Sequence, residues 1–93
     1  MTIEEKARAV AKFKKQKARR EMREQIAHGI DSGLTPEQIS LYSRPEFDRL
    51  QMDEIRRAFE FGLTTEEVKT FAKPELSWFE MMERKNEILA ARG

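Results

Sequence analysis

Apolar residues in this 93-residue chain recur three and four positions apart, the spacing of one helix face. Met52, Ile55 and Phe59 form one such stripe, and Val68 with Phe71 form a shorter one. No segment alternates apolar and polar residues as a half-buried strand does. The stripes are separated by turn and stop signals, and the whole arrangement occurs twice. Sliding the chain against itself by 29 positions lays Gly33-Leu34-Thr35 on Gly62-Leu63-Thr64 and Pro45-Glu46 on Pro74-Glu75. The same offset pairs Ile26 with Ile55, Ile30 with Phe59, Ile39 with Val68, Tyr42 with Phe71, Phe47 with Leu76 and Met52 with Met81. A period of this length is the signature of stacked helical repeats.

The punctuation places the helix ends. Thr2 with Glu5, Thr35 with Gln38, Asp48 with Gln51, Thr64 with Glu67 and Ser77 with Glu80 all have capping-box spacing, in which each side chain satisfies a free backbone N–H of the other. Gly33 and Gly62 suit the left-handed turn that ends a helix. Pro36 stands at the favoured first helical position. Pro45 and Pro74 stop the short helices by pushing the preceding residue out of helical geometry. The pattern predicts an all-α fold of five helices near residues 3–31, 36–43, 49–61, 65–72 and 78–91, in long-short-long-short-long order. Residues 1–93 read as a single domain, with a basic helical arm over 1–24 and a helical repeat body over 22–91. Two full units are few for a stacked array, so flanking helices or a second protomer are expected to supply cover, and a homodimer is one outcome.

Composition changes this picture mainly through charge. The net charge of +1 conceals an asymmetry. Residues 1–24 hold nine Lys/Arg against four Glu, a net +5, and the remainder carries −4. There is no cysteine, which excludes disulfides and thiolate metal sites and fits a reducing, cytoplasmic setting. No apolar run approaches the roughly 20 residues of a membrane span, and charge from Glu4 onward leaves no signal peptide visible, so no membrane partner is expected.

The run Gly33-Leu34-Thr35-Pro36-Glu37-Gln38-Ile39, continued through Tyr42-Ser43-Arg44-Pro45-Glu46-Phe47 and Gln51-Met52-Asp53-Glu54-Ile55-Arg56, resembles a short helical repeat found in proteins of phages and conjugative elements of gut bacteria. In that family a Gly-Leu-Ser/Thr turn leads a Glu-Gln-Val helix, then Tyr-Ala-Lys-Pro-Glu-Phe, then an aromatic, Gln-Met and Glu-Ile-Arg. The resemblance covers residues 22–82 and omits the basic arm. Arg49 departs from the aromatic position, where the second copy has Trp78. The resemblance implies an all-α repeat and a mobile-element setting. Small proteins of that setting include inhibitors of host defence such as anti-CRISPR proteins.

Candidate chemistry is sparse. His28, the one histidine, has Glu24 four residues before it and reads as half of a solvated surface pair. Glu66-Glu67 lacks the Glu-x-x-His pattern of helical metal sites. No glycine-rich phosphate loop is present. A non-enzymatic protein without cofactor or metal is expected.

The arm carries the functional expectation. Ile3, Ala7, Val10, Ala11, Ala18, Met22 and Ile26 share one broad sector, but charge surrounds the helix through Lys12-Phe13-Lys14-Lys15-Gln16-Lys17, and such a stretch projects or frays rather than entering a core. Lys12, Lys14, Lys15, Lys17, Arg19, Arg20 and Arg23 suit phosphates of a nucleic acid or nucleoprotein, an acidic protein surface, or solvent alone. The equivalent pairs Tyr42/Phe71, Ile30/Phe59 and Leu50/Phe79 read as core. Phe61 and Trp78 break the repeat, lying opposite Ser32 and Arg49, and are candidates for protein-partner contact. For Trp78, its match to the family aromatic favours packing under the next helix. Met81, Met82 and Leu89 are a candidate self-association surface on the last helix.

Overall fold

The computed structural model describes residues 2–92; Met1 and Gly93, the ends of the expected domain, lie outside the described residues. It contains α1 (Ile3–Asp31), α2 (Pro36–Tyr42), α3 (Arg49–Glu60), α4 (Thr65–Lys69) and α5 (Trp78–Arg92), and no strand among the described residues. The predicted order is present, as are four of the five capping boxes; at Ser77 only the bond from the Glu80 N–H forms, and the Glu80 side chain meets the Ser77 hydroxyl instead of its N–H. Thr2, Thr35, Asp48 and Thr64 each accept a bond from the N–H three residues on, and the Glu80 N–H donates to Ser77 Oγ at 3.1 Å. The long helices end alike: Leu34 N–H donates to Gly29 O at 2.9 Å and Leu63 N–H to Ala58 O at 3.0 Å, with Gly33 and Gly62 at φ 83° and 89°. These are Schellman closures, which need a residue free of a Cβ at the left-handed position.

α4 ends earlier than the predicted residue 72. Past Lys69 the chain tightens into i→i−3 bonds, Thr70 N–H to Glu67 O at 3.2 Å and Phe71 N–H to Val68 O at 3.1 Å. That last turn swings Phe71 into the core, and Lys73 N–H then bonds Phe71 O ahead of Pro74.

α3 is the centre, packed by α1 on one side and α5 on the other, with α2 and α4 filling the angles between long helices. The core repeats with the sequence. Tyr42 and Phe71 are fully buried, as are Ile55, Val68 and Met81, and Met52, Phe59, Leu63 and Phe47 are nearly so. One substitution pair shows how closely the two units correspond. Tyr42 donates its hydroxyl to Gln25 O at 2.6 Å, and that hydroxyl stands where a Cβ on Gly29 would project. In the second unit the tyrosine becomes Phe71 and the glycine becomes Ala58, so a methyl group takes the place of the missing oxygen.

Several equivalent positions part company. Ile30 was expected in the core with Phe59, yet it is 62% exposed. Phe59 faces a preceding long helix and Ile30 has none. Leu50 and Phe79 are exposed for another reason: at 100° per residue each lies on the far side of its helix from buried Met52 and Met81. Met81 is core and takes no part in a surface for self-association; Met82 and Leu89 are half-buried. The outward face of α5 carries Glu80, Arg84 and Glu87 at positions equivalent to Gln51, Ile55 and Ala58, so the stacking face ends in charge. A polar outer face is how repeat arrays are closed off.

Candidate nucleic-acid interface

α1 is one uninterrupted helix of 29 residues, about 43 Å long at 1.5 Å per residue. Only its second half belongs to the body. Gln25 and Gly29 are buried, and Glu21, Met22 and Ile26 are half-covered. Every described residue from Thr2 to Arg20 is exposed. The arm therefore projects as expected, which accounts for the elongated 58 × 25 × 15 Å envelope. It is helical because Thr2 caps it and because its C-terminal half is anchored, so the costly nucleation step is already met.

Lys12, Lys14, Lys15, Lys17, Arg19, Arg20 and Arg23 are all exposed on this rod. Among the described residues, only Lys17 of these seven makes an ion pair, to Glu21 at 3.9 Å. At 100° per residue the seven surround the axis rather than forming one stripe. Lys14 and Lys17 border a shallow groove where the arm meets Phe47, Asp48, Arg49 and Met52. On the other side of Ala18, Lys15 and Arg19 border a second groove with Pro45, Phe47 and Met52, so the structure brings these four beside the body.

The body treats charge differently. Arg56 donates from Nε to Gln25 Oε1 at 2.8 Å and from Nη2 to Asp53 Oδ1 at 2.6 Å, and it also pairs with Glu60. Burial opposes the Arg56 charge, but the hydrogen bonds to Asp53 and Glu60 outweigh it and hold its pKa above the ordinary arginine value. One unit on, Lys85 Nζ donates to Glu54 Oε2 at 2.7 Å, with both side chains buried. The acceptor positions 25 and 54, like the donor positions 56 and 85, differ by the repeat length. This polar link between successive long helices was not read from the sequence, although the 29-residue offset contains it. Burial, its largest cause, pushes the Tyr42 pKa up to about 12, with Arg56 acting in the opposite direction.

Phe61 is 62% exposed at the C-cap of α3, and Lys85 Nζ lies 5.7 Å from its ring centre. One ring face therefore shields the buried ion pair and the other meets solvent. Trp78 is 40% exposed and meets Phe79 edge to face at 5.8 Å, so the packing expected for it under a following helix does not occur. Phe61 and Trp78 stand on separate parts of the α3–α5 surface, at opposite ends of their helices.

His28 and Glu24 are both exposed and no ion pair joins them among the described residues. Among the described residues, no group of three or more His, Cys, Asp or Glu side chains converges to hold a metal ion. No described helix is long and apolar enough to cross a membrane. The chain matches no family model, no curated protein and no solved structure.

Proposed function

We propose that this protein is a non-enzymatic binder of nucleic acid or of a nucleoprotein complex, acting through the α1 arm. The observation that carries the reading is the set of unpaired cations. Among the described residues, six of the seven basic side chains from Lys12 to Arg23 lack a carboxylate partner, and all seven are exposed. A rod of this width fits a duplex major groove, and cations distributed around it reach phosphates on both walls. The acidic body stays outside, since its negative charge is repelled by the same phosphates. The resemblance of residues 22–82 to mobile-element repeats supports an accessory role in such an element, in the cytoplasm of its host.

Titration of short duplex DNA and RNA tests the reading. Each phosphate neutralised contributes about 0.9 to the slope of log K against log salt, so four to seven contacts give a slope of roughly −4 to −6. Reversing Lys14, Lys15, Arg19 and Arg20 to Glu is expected to abolish binding while leaving the melting temperature unchanged. Absence of binding at low salt, or binding indifferent to that reversal, overturns the proposal.

The exposed aromatic rings favour a second reading, an inhibitor of a host defence protein, anti-CRISPR-like in kind, that docks through the body. In that case Phe61→Ala and Trp78→Ala lose partner inhibition while the charge-reversed arm changes chiefly the association rate.

A further inference from the structure

The apolar face of α1 is longer than the body that covers it. Ala18, Gln25 and Gly29 lie on one side of the helix, where α2 and α3 pack: Ala18 borders Phe47 and Met52, Gln25 bonds Asp53 and Arg56, and Gly29 faces Tyr42. At 100° per residue Ile3, Ala7, Val10 and Ala11 fall on that same side, within a sector of about 100°. Here nothing covers them: Ile3 is 87% exposed and Val10 52%. Only Lys14 interrupts the face. Solvation alone does not call for large β-branched residues at these two positions. Their phase matches the covered half of the helix, and the arm's other sides hold the charge.

An uninterrupted helix cannot fold this face back onto its own body, so a cover must come from another molecule. Two observations make that molecule a second copy. First, charge along the arm is ordered, with Glu4 and Glu5 at the tip and Lys12 to Arg20 in the middle. Antiparallel pairing about Val10 sets Glu4 beside Lys15 of the other copy, on the same flank of the face, whereas parallel pairing sets each lysine against itself. Second, the same register carries Ile3 to the level of Lys17. There the groove bordered by Lys14, Ala18, Phe47 and Met52 opens at the junction of arm and body. We propose that the uncovered half of this face is a homodimer interface, in which two arms pack antiparallel about Val10 and each Ile3 seats in the other copy's arm–body groove.

The alanines at 7 and 11 allow the close approach that helix pairs need, at 8–10 Å between axes. Reciprocal seating uses every contact twice, as a two-fold interface does. Pairing also leaves the charged sides of both arms outward, so a dimer presents twice the cations to a polyanion. The interface itself does not depend on the nucleic-acid reading.

Solution mass as a function of concentration, together with cysteine placement, tests the interface. The chain has no cysteine, so a single one reports one position. Wild-type protein is expected to be dimeric at concentrations of roughly 100 µM and above. Val10→Cys is expected to form a disulfide-linked dimer under mild oxidation, and Ala9→Cys, about 150° from the centre of the face, is not. The pair Ile3→Glu/Val10→Glu is expected to raise the dimer dissociation constant by about 100-fold or more, because a charge enters an apolar contact. Ala9→Glu leaves it unchanged. Circular dichroism shows that each variant is folded. A monomeric mass at about 1 mM, equal cross-linking at positions 9 and 10, or a dimer indifferent to the glutamates at positions 3 and 10 overturns the inference. A monomer that still binds DNA in a salt-sensitive way refutes only the dimer. A dimer that binds no nucleic acid refutes only the proposed function.

Discussion

The arm and the body use the same residue types in opposite ways. In the body, most basic groups find carboxylates: Arg56 with Asp53 and Glu60, Arg57 with Asp53, Lys85 with Glu54, Arg92 with Glu67. In the arm, basic groups crowd one another, and among the described residues only Lys17 has a partner. Like charges at i and i+4 weaken a helix by a few tenths of a kcal/mol each, so the arm keeps its unpaired cations at a cost in local stability. The body supplies the compensation by anchoring the second half of α1. Charge kept free despite its cost is charge available to a partner. Charge neutralised within the body chiefly sets how the long helices stack.

The contrast has consequences for stability. Truncating a fully buried ring, Phe71→Ala, is expected to destabilise the protein by about 3–5 kcal/mol, enough to unfold so small a domain. Phe13→Ala on the arm should change it by no more than about 0.5 kcal/mol. Paired denaturant melts check this; comparable losses at the two sites would mean that the arm packs on the body.

A smaller effect separates the two repeat units. Gly29→Ala pushes a methyl into the Tyr42 hydroxyl and is expected to cost about 1–3 kcal/mol, in spite of alanine's better helix propensity. In a Tyr42→Phe background the same change should be neutral or stabilising, since it recreates the Ala58/Phe71 pairing. A double-mutant cycle measures the coupling, about 1–2 kcal/mol. Simple additivity would show that the hydroxyl and the glycine are unrelated.

The smallest effect concerns pH. Tyr42 keeps its proton more tightly in the folded state, to about pH 12, chiefly because it is buried. Its contribution to stability is fully present below the ordinary tyrosine pKa of about 10 and is lost as pH rises through the folded value. Melting temperature followed from pH 9 upward should therefore fall more steeply in the wild type than in Tyr42→Phe. The difference in slope should approach one proton. Identical slopes would show that Tyr42 does not govern alkaline unfolding.

Much of the fold was legible because its signals are local. A capping box, a glycine at positive φ or a proline stop acts within a few residues, so Thr35, Asp48, Gly62 and Pro74 declare helix ends without reference to anything distant. The 29-residue offset then identifies which positions are structurally equivalent. The candidate arm was legible for the same reason, since charge asymmetry and a helix charged on every side are properties of a segment. Less visible were the Gln25–Arg56 and Glu54–Lys85 links. Each joins residues 31 positions apart, and nothing in either residue alone announces its partner.

The chain's own pattern thus determines five helices, their ends, their order and the location of the positive charge. Tertiary structure decides which equivalent positions are covered. Phe59 is buried and Ile30 exposed because one has a preceding long helix and the other begins the stack. Ile55 is buried and its equivalent Arg84 faces solvent because no described helix packs on that side of α5. Trp78, placed by its pattern under a following helix, meets Phe79 and water because no described helix follows. Propensity and capping are settled by neighbours along the chain, whereas burial is settled by neighbours in space.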